Sequence, residues 1–196
     1  MKRSRLVWFA AVMLCMATAR MSNASVLMDI AQSGSNVVVS GSGTLDLTDL
    51  TFQFAQTHRP PVMVPFRGIL LIAPLTNTML NVFSGFTGPS AFGPGPISIP
   101  DAATGELFGI DSADDLLYTD QLSGVSLSGT VTFDNTTLSG LGVTPGTYTW
   151  TWGTGLHADS LTIVSGTSAT PEPGTLGLLA AGCLGLALLS LRRARI

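Results

Sequence analysis

Thr147-Tyr148-Thr149-Trp150-Thr151-Trp152 alternates hydroxyl and aromatic side chains without a break. Period two is strand geometry, because successive side chains leave a strand on opposite faces. The stretch therefore reads as a strand with Tyr148, Trp150 and Trp152 on one side and three threonines on the other. Two roles fit the aromatic row. It can form a flat stacking platform for sugar rings, or it can face inward, where aromatics contribute much of a core. The threonines suit a wet face, and this favours the core.

Working outward, the same texture recurs. Short β-branched or aromatic runs, spaced near ten residues, are broken by Gly, Pro, Asn and Asp. The expected strands are Val26–Gln32, Asn36–Ser40, Thr44–Leu47, Thr51–Ala55, Gly68–Ala73, Asn81–Phe83, Leu107–Ile110, Val125–Phe133, Thr136–Leu141, Thr147–Trp152 and Ser160–Val164. No long stretch carries a helical apolar period. The fold class is all-β, an antiparallel β-sandwich with a jelly-roll-like arrangement among its forms. Thr144-Pro145-Gly146-Thr147 suits a type II turn, and Asp134-Asn135 a tight connection. Pro60-Pro61 to Pro65 reads as extended, and Gly88-Pro89 through Pro100 as a long Gly/Pro loop.

Both ends differ from this middle. Met1-Lys2-Arg3-Ser4-Arg5 is a basic region, Leu6 to Ala17 an apolar run, and Ala17-Thr18-Ala19 and Ser22-Asn23-Ala24 are small-x-small sites. That is a signal peptide over 1–24, addressed to the Sec translocon and signal peptidase. Cleavage after Ala24 is preferred, because Ser25 onward begins like a first strand. Leu14 before Cys15 does not make a lipobox. At the other end Pro171-Glu172-Pro173-Gly174 precedes an uncharged apolar run, Thr175 to Leu191, and then Arg192, Arg193 and Arg195. Seventeen helical residues rise roughly 25 Å, slightly short of a ~30 Å hydrocarbon core, and arginine snorkelling can close the gap. Gly177, Ala181 and Gly185 put small residues on one helix face. The terminal arginines place the C-terminus in the cytoplasm.

Between these segments lie about 146 residues, enough for one core. Positions 25–170 hold eleven acidic residues and only Arg59 and Arg67 as cations, nine net negative charges that the whole-chain value of −3 conceals. Such a surface repels nucleic acid and anionic lipid. Cys15 and Cys183 sit in the two apolar segments, so the exported domain has no disulfide and relies on burial.

The tail resembles the C-terminal sorting signal of PEP-CTERM proteins, in the order Pro171-Glu172-Pro173, apolar helix, arginine cluster. The resemblance implies an exosortase of a Gram-negative bacterium as processing enzyme, a cut near Pro-Glu-Pro, and delivery of an inner-membrane-anchored precursor to the cell surface or matrix. An uncut anchor is the alternative. The middle also resembles a recurrent group of PEP-CTERM substrates. The likeness lies in Gly41-Ser42-Gly43-Thr44-Leu45, in Gly85-Phe86-Thr87-Gly88-Pro89 with Phe92-Gly93, in Leu127-Ser128-Gly129-Thr130 to Trp150-Thr151-Trp152-Gly153, and in Ala158-Asp159-Ser160-Leu161. Tyr118-Thr119-Asp120-Gln121 departs from that group's pattern. The resemblance implies no particular activity.

Residues with chemistry are few. His58 and His157 are the histidines. His157 lies close to Asp159 in sequence, but those two alternate along a strand, and no Gly-x-Ser-x-Gly elbow accompanies them. No zinc or copper spacing exists, and no cofactor is expected. Asp111, Asp114, Asp115 and Asp120 offer oxygen ligands for Ca²⁺ without the alternating spacing of a calcium loop, so a solvated loop is the better reading. Asn135-Thr136-Thr137 is formally a glycosylation sequon. The expected function is a non-enzymatic exported surface or matrix protein associated with exopolysaccharide or envelope. The alternative is a carbohydrate-binding or Ca-bridged adhesive module on the same route.

Overall fold

The computed structural model describes residues 25–57, 59–76 and 79–166. The chain divides into two units, Met1–Gly166 and Thr167–Ile196. The signal segment with its cleavage residue Ala24, the sorting motif Pro171, Glu172 and Pro173, the run 175–191 and Arg192, Arg193 and Arg195 lie outside the described residues. Among the described residues no helix is long and apolar enough to cross a membrane.

Among the described residues twelve strands form two six-stranded sheets. Sheet A runs β11 (Gly146–Trp152), β12 (Asp159–Ser165), β1 (Ser25–Ser33), β2 (Asn36–Thr44), β10 (Ser126–Phe133) and β7 (Ala102–Gly105). Sheet B runs β3 (Thr51–Thr57), β6 (Met79–Ser84), β9 (Leu116–Thr119), β8 (Phe108–Asp111), β5 (Ile69–Ile72) and β4 (Val62–Val64). Every neighbouring pair is antiparallel except one. β1 and β12 run parallel, in the register Ser25↔Ser160 to Ile30↔Ser165, which corrects the purely antiparallel expectation. The reason is topological: the first and last of the described strands lie side by side inside the sheet, with no hairpin joining them.

Local chemistry explains the best-formed pieces. Gly34 supplies a φ of 61° at the first position of the two-residue turn joining β1 to β2, as such hairpins demand. Val26, Met28 and Ile30 alternate inward along β1, as do Leu161 and Ile163 along β12. They meet Leu70, Ile72, Phe108, Ile110 and Leu117 of sheet B in one apolar cluster. Two glycines set how closely the sheets approach. A Cβ on Gly41 would stand 2.8 Å from both Ile72 Cδ1 and Phe108 Cε2, and one on Gly129 would stand 2.6 Å from Ile72 Cγ2. Gly41, Gly129 and Gly105 pair across β2, β10 and β7. The middle of sheet A can therefore sink onto sheet B.

Sheet B is built differently. All four residues of β5 and all four of β8 are buried. Leu71, Leu80, Val82 and Tyr118 form a second apolar cluster on the face away from sheet A. β3 and β4 are consecutive in sequence yet sit at opposite edges. A flat sheet of this size spans about 24 Å, whereas the five steps from Thr57 to Val62 reach at most ~18 Å. Sheet B must therefore curl, and its concave side encloses the second cluster.

Several sequence expectations need correction. Thr136–Leu141 is not a strand but a helical turn, with Leu141 N–H donating to Thr137 O at 2.9 Å and Val143 N–H to Leu138 O at 3.0 Å. Thr137 Oγ1 caps its start by accepting from Gly140 N–H at 3.0 Å, and Gly142, at φ 64°, ends it. Threonine's side chain here competes for backbone donors and wins over its strand propensity. Asp134-Asn135 does turn, with Asn135 at φ 51°, but it leads into this helical turn. Gly146 does not take a positive φ; it opens β11, so no type II turn forms at Thr144–Thr147. The strand expected at Thr44–Leu47 is absent as such, because β2 runs on through Gly41 and Gly43 to Thr44.

Candidate functional site

The aromatic row of β11 faces inward. Trp150 is fully buried and its Nε1–H donates to Pro89 O at 2.9 Å. Trp152 is buried too, donating to Asp46 O at 2.7 Å. Tyr148 is half-buried against Phe92, ring centroids 6.1 Å apart, and its hydroxyl donates to Thr144 O at 2.9 Å. Thr147, Thr149 and Thr151 are exposed. Each indole nitrogen thus finds a carbonyl as it is buried, which a core aromatic requires. The row is core, and a sugar platform is not available on it.

Trp152 also ties down the loop after β2, where polar groups gather. Asp46 Oδ1 accepts from Thr48 N–H at 2.9 Å and from the Thr48 hydroxyl, and its Oδ2 meets His157 Nδ1 at 2.9 Å. The Thr48 hydroxyl, then His157, hold the Asp46 carboxyl down at about 2, and Asp46 in turn raises His157. The partner of His157 is therefore Asp46, not Asp159. Asp159 lies beneath, 5% exposed, with Oδ2 accepting from Asp46 N–H and Oδ1 from Ser160 N–H, each at 2.6 Å. Burial outweighs these two hydrogen bonds and lifts its pKa to about 6. Sequence proximity missed the Asp46–His157 pair because the residues are 111 positions apart. As chemistry this is an aspartate–histidine dyad, and among the described residues no hydroxyl is bonded to its second ring nitrogen. It can fix a loop. His58 lies outside the described residues.

The acids of the 111–120 stretch do not converge on a single point. Asp111 is buried at the end of β8, with Oδ2 3.6 Å from Arg59 Nη1. Asp114 pairs at the surface with Arg67, at 3.3 Å. Burial raises the Asp111 carboxyl, with Asp114 adding to the effect and Arg59 opposing it. The Arg59 guanidinium also stacks over Tyr118, 4.7 Å from the ring centroid. Burial of that phenol pushes it up to about 12. Asp115 sits in the hairpin turn at φ 54°. Among the described residues no group of three or more acids, histidines or cysteines could hold a metal ion.

The outward side of sheet A carries what the sequence reading overlooked. Thr149, Thr162, Leu27, Ser42 and Ser128 fall in one cross-strand row, and Asp29, Ser40, Thr130 and Thr104 in the next. Between the rows runs the line of Gly41, Gly129 and Gly105. The inward sink of the backbone there leaves a shallow trough of about 350 Å³, lined by hydroxyls, Asp29 and the side of Leu27. The signal was present as Ser-Gly-Ser-Gly-Thr at 40–44 and Ser-Gly-Thr at 128–130. Its meaning depends on β2 and β10 being neighbours. No family model, curated protein or solved structure matches the chain.

Proposed function

We propose that this is an exported, non-enzymatic surface or matrix protein, delivered as a membrane-held precursor and released to exopolysaccharide or envelope through exosortase processing at Pro171-Glu172-Pro173. The ordered tail carries the reading: Pro-Glu-Pro, a 17-residue apolar run and a terminal arginine cluster in sequence. Proline rings disfavour helix just before them, and an extended backbone is what a membrane peptidase needs to reach a peptide bond. The all-β body ahead of it has an apolar core of its own. Replacing Pro171-Glu172-Pro173 with Ala-Ala-Ala is expected to leave an uncut, membrane-held protein. The decisive measurement is the mass of the surface-extracted protein with and without exosortase. A wild-type product still ending at Ile196 reduces the tail to a plain anchor.

The trough on sheet A favours a second reading, a module that holds a neutral polysaccharide strand. Its hydroxyls and one carboxylate can exchange hydrogen bonds with sugar hydroxyls, and the net negative body disfavours anionic polymers. Glycan-array binding of the exported protein, with and without Ca²⁺, tests it. Binding abolished by Ser42→Tyr supports the trough, and silence across neutral glycans removes it.

A further inference from the structure

At the pole of sheet A where β1 begins, a pocket of about 390 Å³ is lined by Ser25, Trp152, Gly153, Ala158, Asp159 and Ser160. Asp159 is the buried acid there, and its hydrogen-bond donors are the backbone N–H groups of Asp46 and Ser160. The charged groups around it do not neutralise it. The loop after β2 brings Asp46 and Asp49, both acids. The short turn Gly155–His157 brings His157, bound to Asp46. Arg59 and Arg67 are engaged with Asp111 and Asp114 on sheet B. Among the described residues no cation pairs with Asp159. Burial against a net acidic surround is what lifts its pKa to about 6.

The parallel register identifies what could supply the missing charge. Val26 lies across from Leu161, both inward, and Ser25 from Ser160. One step back on β12 is Asp159, also inward, and the nitrogen of Ser25 stands at that step on β1. Adjacent strands are about 4.8 Å apart, so a charge on this nitrogen comes within ion-pair reach of an aspartate side chain. While the chain continues upstream, the nitrogen is a neutral amide. Hydrolysis of the Ala24–Ser25 bond consumes one water, leaves a carboxylate on Ala24, and leaves on Ser25 an amine that takes up a proton.

We propose that signal-peptide removal creates the counter-ion of Asp159: the new α-ammonium of Ser25 enters this pocket, pairs with the buried carboxylate, and fastens the β1–β12 seam only in the processed protein. The inference rests on cleavage after Ala24. Export and folding are thereby coupled, since the uncut chain keeps an unpaired buried acid at the pole from which its leader emerges. A buried acid favours its charged form once an opposite charge stands within a few ångströms.

The test exploits composition. Lys2 is the only lysine of the chain, so after cleavage the Ser25 α-amine is the only amine left. The full chain is exported in a Gram-negative host, the mature protein isolated, its N-terminus read by mass, and the amine reductively ¹³C-methylated and titrated by NMR. The expected N-terminus is Ser25, with an amine binding its proton about tenfold more tightly, roughly one pKa unit above the usual 7.7–8.0, in wild type but not in Asp159→Asn. Inserting one Ala between Ala24 and Ser25 keeps Asp159, displaces the charge by about 3.4 Å, and also abolishes the shift. A mature chain beginning at Arg20 overturns both the cleavage reading and the ion pair. A chain beginning at Ser25 whose amine titrates alike in wild type and Asp159→Asn overturns the ion pair alone. If Asp159→Asn does not accumulate, an unchanged titration in the insertion variant overturns it equally.

Discussion

Sheet A buries one face and gives the other to water, whereas the centre of sheet B, β5 and β8, buries both, and the sheet curls around a second cluster of its own. The strands record this difference. β12 alternates buried and partly open residues along its whole length, while β5 is four apolar residues in a row, all buried. In sheet A a polar side chain outside costs nothing. In sheet B polar groups such as Asp111 and Tyr118 are drawn inside and need Arg59 above them. Stability in the first sheet, Asp159 apart, is therefore a matter of packing, and in the second partly a matter of charge.

Truncating the core of sheet A should show the largest effect. Trp150→Ala removes a fully buried indole and leaves Pro89 O without its donor, a loss of about 3–5 kcal/mol by denaturant unfolding. A change under 1 kcal/mol would mean that the aromatic row does not carry the sandwich. Next comes Arg59→Ala, which strips the cation from Asp111. Because Arg59 is one-third exposed, the full cost of breaking a buried pair is discounted to about 1–3 kcal/mol. The loss should grow with pH as the stranded carboxyl ionises. Tyr118→Phe sharpens the point: its buried hydroxyl has no hydrogen-bond partner among the described residues, so its removal should be neutral or stabilising by up to about 1 kcal/mol. A large loss would reveal a bond that burial conceals. On the wet side of sheet A, Thr149→Val breaks only a hydroxyl contact to Thr162 and should stay within about 0.5 kcal/mol.

The smallest expected effect is electrostatic. His157 titrates higher when folded, so the stability from its bond to Asp46 is complete below the unfolded histidine pKa and fades as pH rises through the folded value. Asp46 is held at about 2, so its contribution is complete above the ordinary carboxylate range and fades only as pH falls towards 2. Both signs favour mildly acidic conditions. Melting temperatures compared at pH 5 and pH 8 should fall slightly at pH 8 in wild type, and the His157 share of that fall should vanish in Asp46→Asn. Both groups are open to solvent, so added salt should shrink it.

How much of this was legible depends on strand length and on which faces are wet. The longer strands of sheet A announce themselves through alternation, as Thr147–Trp152 and Ser160–Val164 do, because water on one side forces polar residues into every second place. β4, β7 and β9 went unread. Val62–Val64 and Leu116–Thr119 are too short to show a period, and Ala102–Gly105 has hardly any apolar content. Thr136–Leu141 misled because β-branched residues there serve as caps. Polar partnerships across the fold, Asp46 with His157 or Arg59 with Asp111, join positions that only strand order brings together. The trough needed Gly41, Gly129 and Gly105 to be recognised as one line, although they come from three strands.

The seat of β12 between β11 and β1 has a mechanical meaning. Its C-terminal end, Ser165, lies beside Ile30, while its other end lies beside the start of the domain. A pull applied beyond Ser165 against the rest of the body runs along the strand axis. The six residue pairs with β1 and the seven with β11 are then loaded together in shear, and none can be peeled ahead of the others.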